Sequence, residues 1–236
     1  MAVGYVNGSM ASDVTTDGGS AVITLGWTPS AGELLVVVMK GQYSATLPTW
    51  GLTAFTALSR QSTGTSGVGQ GLTATQVWYK TADGTETSLT CTQSTAGNTT
   101  THFQPHAFGF SGVPAVANIQ HEQEIVLAAA AGVNVVPASS TATGSGLALF
   151  MRARVNARGT GNAMASGGAG FTQRSIGTWG SQYPSSMLAT KSVTSGTVTW
   201  PESTNGFVDD WLLEKVVLYD NAAMIGGIYV DGAVHF

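Results

Sequence analysis

The chain has a single cysteine, Cys91, so no internal disulfide can staple it, and any stability has to come from packing and hydrogen bonds. Charge is almost as scarce: Lys, Arg, Asp and Glu together make up 9% of 236 residues, far below the roughly 25% usual in soluble domains. With only 9 basic residues and a net charge of −4 there is no basic stripe, which argues against nucleic-acid binding and against adhesion to anionic lipid. No apolar run approaches the ~20 residues of a membrane helix, so membrane insertion is not expected. The opening MAVGYVNGSM has neither the basic stretch nor the long apolar core of a secretory signal, and the expectation is synthesis in a cytoplasm. Helix-forming stretches are lacking too, because glycine and β-branched residues recur every few positions.

Strand signals fill the chain instead. Leu34 to Met39 (LLVVVM) is a short continuous apolar run behind Pro29-Ser30-Ala31-Gly32, the pattern of a central strand buried on both faces. Ala74 to Lys80 and Thr85 to Thr92 flank Ala82-Asp83-Gly84, and an Asp-Gly between β-rich runs predicts a hairpin. On the second of these strands Leu89 and Cys91 share a face, which directs the thiol toward the core. Leu147 to Val155, Ala169 to Ser175, Ser186 to Thr194, Thr197 to Trp200 and Trp211 to Tyr219 also read as strands, and Trp50, Trp78 and Trp211 are assigned to the core or its rim. His121 to Ala131 (HEQEIVLAAAA) is the one stretch with helical propensity, and a short helix is an alternative there.

Three landmarks recur in order at nearly equal separations: Leu34 and Leu147 open similar runs, Phe55 and Phe171 follow Gly-containing turns, and Lys80 and Lys191 each enter a Gly-containing turn. Such a weak duplication is what the paired Greek keys of a jelly roll leave in a sequence. The expected fold is therefore all-β, a jelly-roll β-sandwich of two antiparallel sheets built from two similar four-strand halves. Residues 1–19 would form an N-terminal arm, 20–221 the sandwich, and 222–236 an apolar C-terminal strand or exchange arm.

The order Gly32 to Val38, Pro48-Thr49-Trp50-Gly51-Leu52-Thr53, Val77-Trp78-Tyr79-Lys80 with its Asp-Gly turn, Phe108-Gly109-Phe110-Ser111-Gly112-Val113, Gly170-Phe171-Thr172-Gln173-Arg174 and a late Trp-bearing strand resembles a family of phage-encoded β-sandwich proteins found among virion structural and tail genes. The likeness spans Gly19 to Asp220 and lies in the order of loose motifs. It implies a virion location and a tail, fibre or capsid-decorating role, with other virion proteins and further copies of the chain as partners. No catalytic set carries over with it. The tail after Asn221 departs from the pattern, and Ile225, Ile228, Tyr229, Val230 and Phe236 are the candidate assembly arm, pairing in cis or crossing to a neighbour.

Few residues suggest chemistry. His102 and His106 on one extended face would stand about 13 Å apart, too far to share a metal. No G-x-S-x-G elbow occurs, and Thr143-Gly144-Ser145-Gly146 has the wrong spacing. Glu33, Asp83, Asp209 and Asp210 sit in or beside predicted turns rather than as a facing carboxylate pair; a loop calcium site using Asp209, Asp210 or Asp220 stays open. Gly64 to Gly71 lacks the ending of a phosphate loop, and Asn98-Thr99-Thr100 matches a glycosylation acceptor without a secretion signal to support it. These readings point away from an enzyme and require no cofactor. Trp179 and Tyr183, among Gly, Ser and Pro, are the candidate glycan-binding residues, which makes a host-surface carbohydrate the alternative partner.

Overall fold

A computed structural model describes residues 2–63, 72–99, 101–113, 119–129, 134–154, 168–177, 186–204 and 209–220. Its first half supplies β1 (Gly4–Met10), β2 (Ser20–Thr24), β3 (Leu34–Tyr43), β4 (Trp50–Leu52), β5 (Thr56–Thr63), β6 (Leu72–Thr81), β7 (Ser88–Gln93), β8 (Thr101–Phe103) and β9 (His106–Ser111). The second half supplies β10 (Ile119–Ala129), β11 (Asn134–Val135), β12 (Ser140–Ala142), β13 (Gly146–Arg154), β14 (Thr172–Gly177), β15 (Ser186–Val193), β16 (Gly196–Val198), β17 (Ser203–Thr204) and β18 (Asp209–Tyr219). All pairings among the described residues are antiparallel. The fold is all-β, as the composition predicts.

The expectation of two sheets is corrected, because the described residues form five. A six-stranded sheet runs β1-β9-β3-β6-β5 with β8 also on β3, and a five-stranded sheet runs β10-β18-β13-β15-β14. The smaller ones are β2-β7-β4, β11-β17 and β12-β16. The two large sheets follow the same path in their own halves, so the duplication joins two whole sandwiches and not two four-strand halves of one. Register repeats as well: Leu35 pairs Lys80 and Ala148 pairs Lys191. Ala54 (φ 65) and Gly170 (φ 80) each take a left-handed conformation just before a phenylalanine. That turn sets Lys80 Nζ 5.7 Å from the Phe55 ring and Lys191 Nζ 5.8 Å from the Phe171 ring.

Three apolar clusters hold the layers together. Val37, Met39, Trp78 and Ala107 of the first large sheet pack on Ile23, Leu89, Cys91 and Trp50 of the three-stranded sheet. Leu34, Val36, Val38, Phe108 and Phe110 point the other way and meet Leu147, Leu149, Met151, Val216 and Leu218 of the second large sheet. Beyond that sheet, Phe150, Trp211 and Val217 pack with Val135, Val198 and Trp200. Both large sheets are thus inner layers, which is why β3 is buried at every position and its sequence shows no polar alternation. The middle cluster is the seam between the halves.

Several local expectations change in this context. The Asp-Gly segment is no hairpin, since β6 and β7 lie in different sheets; Glu86 accepts the Asp83 N–H at 3.0 Å and Gly84 takes φ +92, so the turn arches from one layer to the next. Residues expected as an N-terminal arm contribute β1, paired to β9 from Gly4↔Ser111 to Met10↔His106. His121 to Ala129 is strand and not helix, because alternate side chains of β10 find partners on opposite sides of β18. All four register shifts among the described pairings fall on the outer strands of the large sheets: between Tyr5 and Asn7 in β1, Ala57 and Arg60 in β5, Val126 and Ala129 in β10, and Gln173 and Ser175 in β14.

Candidate functional site

Strand β18 places two opposite charges side by side in an apolar run, Trp211-Leu-Leu-Glu214-Lys215-Val-Val, and alternation sends them to opposite faces. Glu214, 1% exposed, points into the seam. There its Oε1 accepts from Thr75 Oγ1 at 2.6 Å and from Gln61 Nε2 at 3.0 Å, both from the first half. Gln123 Nε2 lies 3.1 and 3.2 Å from its two oxygens, and His121 Nε2 lies 2.6 Å from Oε2. Gln61 also donates to the Leu213 carbonyl at 3.0 Å, while Gln123 reaches the Ser59 carbonyl at 2.9 Å. One carboxylate therefore gathers donors from β5, β6 and β10.

Lys215 turns the other way, donating to Glu124 Oε2 at 3.1 Å and to the Ala138 carbonyl at 3.2 Å, with Glu122 Oε2 at 3.6 Å. Ser140 Oγ donates to Glu122 at 2.6 Å and accepts from Trp200 Nε1 at 2.7 Å, tying the small sheets to β10. His121 and Gln123 serve Glu214 while Glu122 and Glu124 serve Lys215, so polar alternation overrides the helical propensity of this segment.

A second polar group lies at the same seam. Lys40, directly opposite Thr75 in the β3–β6 register, is 1% exposed, and burial holds its amine well below the usual lysine range while the Asp13 carboxylate opposes the shift. His106 pairs with Val38 and stacks on Phe108 with centroids 6.1 Å apart. Burial, and after it the Lys40 charge, pushes its imidazole well below the ordinary value. His102 Nδ1 lies 2.6 Å from Asp13 Oδ2. The two histidines expected on one strand face stand on separate strands, β8 and β9, with different partners. Among the described residues no three His, Cys, Asp or Glu side chains converge as a metal site, and no helix is long and apolar enough to cross a membrane.

The remaining candidates fall as follows. Trp179 and Tyr183 lie outside the described residues, between Gly177 and Ser186, which pair with each other. Ile225, Ile228, Tyr229, Val230 and Phe236 also lie outside them. Trp50, Trp78 and Trp211 are buried. Asn98 is bound into a loop clasp: its Nδ2 donates to the Thr46 carbonyl at 2.8 Å, its Oδ1 accepts from Ala45 and Thr46, and Asp17 Oδ2 accepts the N–H groups of Ala96, Gly97 and Asn98. An amide so engaged is a poor glycosylation acceptor. Cys91 is fully buried and its thiol is pushed up to about 12 by burial. The folded chain is expected to stay unreactive toward an aromatic disulfide reagent over minutes and to release one equivalent once unfolded in guanidinium; rapid native titration would contradict the packing.

Chemically these groups join layers: each charge is enclosed and set against side chains from neighbouring strands. The sequence reading passed over Glu214, Lys215, Lys40 and Gln61. An adjacent Glu-Lys pair inside an apolar strand was the available signal, since alternation forces the two charges into different layers. Comparison of the chain with protein-family models, curated proteins and solved structures gives no match.

Proposed function

We propose that the chain is a bacteriophage virion structural protein, a tail, fibre or capsid-decorating component that joins further copies of itself and other virion proteins through terminal arms and strand edges. The observation that carries the reading is where the scarce charge goes. In a chain with 9% charged residues, Glu214, Lys215 and Lys40 are buried between layers, an arrangement suited to a rigid building block. The ordered motifs from Gly32 to Arg174 support the same reading.

We read each half as a jelly roll. Support comes from the path: β1-β9-β3-β6 faces β2-β7-β4, and β1 to β2, β3 to β4 and β6 to β7 each step from one layer to the other. Among the edges, β2 suits assembly best, because it is regular over all five pairs with β7 and shows Val22 54% exposed. Peptide mapping and negative-stain images of purified particles are expected to contain the chain; particles that lack it would refute the virion reading. For the tail, light scattering is expected to give a defined oligomer for the full chain and a folded monomer for a version ending at Asn221. Two folded monomers would rule out self-association through this segment.

A second reading, a carbohydrate-binding or host-attachment module, is favoured by the Gly177↔Ser186 pair, which sets Trp179 and Tyr183 on the connection of an antiparallel β14–β15 pair. Glycan-array binding abolished by Trp179→Ala and Tyr183→Ala is its expected signature, and unchanged binding would sink it.

A further inference from the structure

Three of the four histidines in the sequence lie on or beside the seam between the halves: His102 and His106, both buried, and the half-buried His121. We infer that this seam is an acid-operated lock: two sandwiches held together at neutral pH and released from each other, each still folded, when the solution is acidified.

The geometry supplies the parts. At one end the seam is apolar, with Leu34, Val36, Phe108 and Phe110 against Leu147, Leu149, Val216 and Leu218. Toward the other end that apolar stripe gives way, on the same face of β3, to Lys40 and Gln42, and Glu214 crosses from the second half onto Thr75 and Gln61. Each half also has an apolar cluster of its own on the far side of its large sheet, so parting the seam leaves both with a core. The charge acting on His106 is Lys40 on β3, and the other titratable groups of this region have partners of their own: Asp13 with His102 of β8, Glu214 of β18 with His121 of β10, and Tyr5 of β1 under Arg174 of β14.

His106 is the trigger because it is buried on the seam face of its sheet and because the charge acting on it is a cation. Its folded value lies below that of a free imidazole, about 6.5, so the opened seam takes up a proton that the closed seam resists. At His106 neither form is protonated well above about pH 6.5, and as pH falls through that value the opened form gains with each step. Lys40 has the same sign, since its depressed value also makes the closed seam the weaker proton binder, but its contribution starts as pH falls through the ordinary lysine value of about 10.5 and so precedes the His106 step.

The test is a pH titration of the full chain from 8 to 4.5 by small-angle scattering, with far-UV circular dichroism and binding of an apolar dye recorded on the same samples. A compact chain of 236 residues has a radius of gyration of about 17 to 18 Å. Expected below about pH 6 are a rise in that radius and several-fold brighter dye fluorescence from the bared apolar face, while the strand signal is retained. His106→Phe, which keeps a stacking ring and removes the proton site, should move the transition down by at least one pH unit. A wild-type radius constant to pH 4.5, strand signal lost in the same step, or an unshifted transition in the variant would each overturn the inference. If His106→Phe does not fold, the wild-type His106 ring resonance decides: titration in step with the radius supports the lock, and titration with no change in radius overturns it.

Discussion

Glu214→Ala is expected to lower stability by about 3 to 5 kcal/mol, because it removes the acceptor while leaving the donors of Gln61, Thr75 and Gln123 and the ring of His121 turned toward a cavity. For a chain of this length that corresponds to a fall in Tm of roughly 10 °C. The magnitude follows from position: the carboxylate is 1% exposed, and two of its donors belong to the other sandwich. Glu214→Gln keeps the shape and one acceptor oxygen, so part of the loss should return. A Glu214→Ala chain melting within about 1 °C of the parent would mean that the carboxylate contributes little to holding the halves.

Phe110→Ala should cost a similar amount, about 3 to 5 kcal/mol, by opening a cavity at the apolar end of the same seam. Phe110 is fully buried, pairs with Leu34 across the β3–β9 ladder, and meets the Tyr5 ring edge-on with centroids 5.9 Å apart. Chemical denaturation of the two single variants and of the double variant separates two pictures. Losses that add indicate that the polar and apolar ends act independently, whereas a double variant less damaged than the sum indicates that either change alone already parts the layers.

The all-β class was legible because strand runs bounded by Gly, Asp and Ser need no tertiary knowledge. LLVVVM was legible as a strand buried on both faces because apolar side chains at successive positions leave no polar face. The pairing of Leu34 with Leu147, Phe55 with Phe171 and Lys80 with Lys191 was also in the letters, and register confirms it. How much of a sandwich each copy made was not, because short strands such as Trp50–Leu52 and Gly196–Val198 carry too few residues to show a period. The Asp-Gly segment misled for a physical reason: a residue tolerant of positive φ serves a cross-layer arch as well as a tight hairpin, and only the partner strands distinguish them. Glu214 stayed hidden because its donors come from β5, β6 and β10, far apart in the chain. No local pattern marks such a convergence.

The register shifts on β1, β5, β10 and β14 limit how crowded molecules can behave. Two chains meeting along these strands would align for a few residues and then fall out of phase, so neither can serve as a template for the next. Contacts along these four strands would consequently be made by side chains, which leaves backbone pairing between copies to a regular edge such as β2.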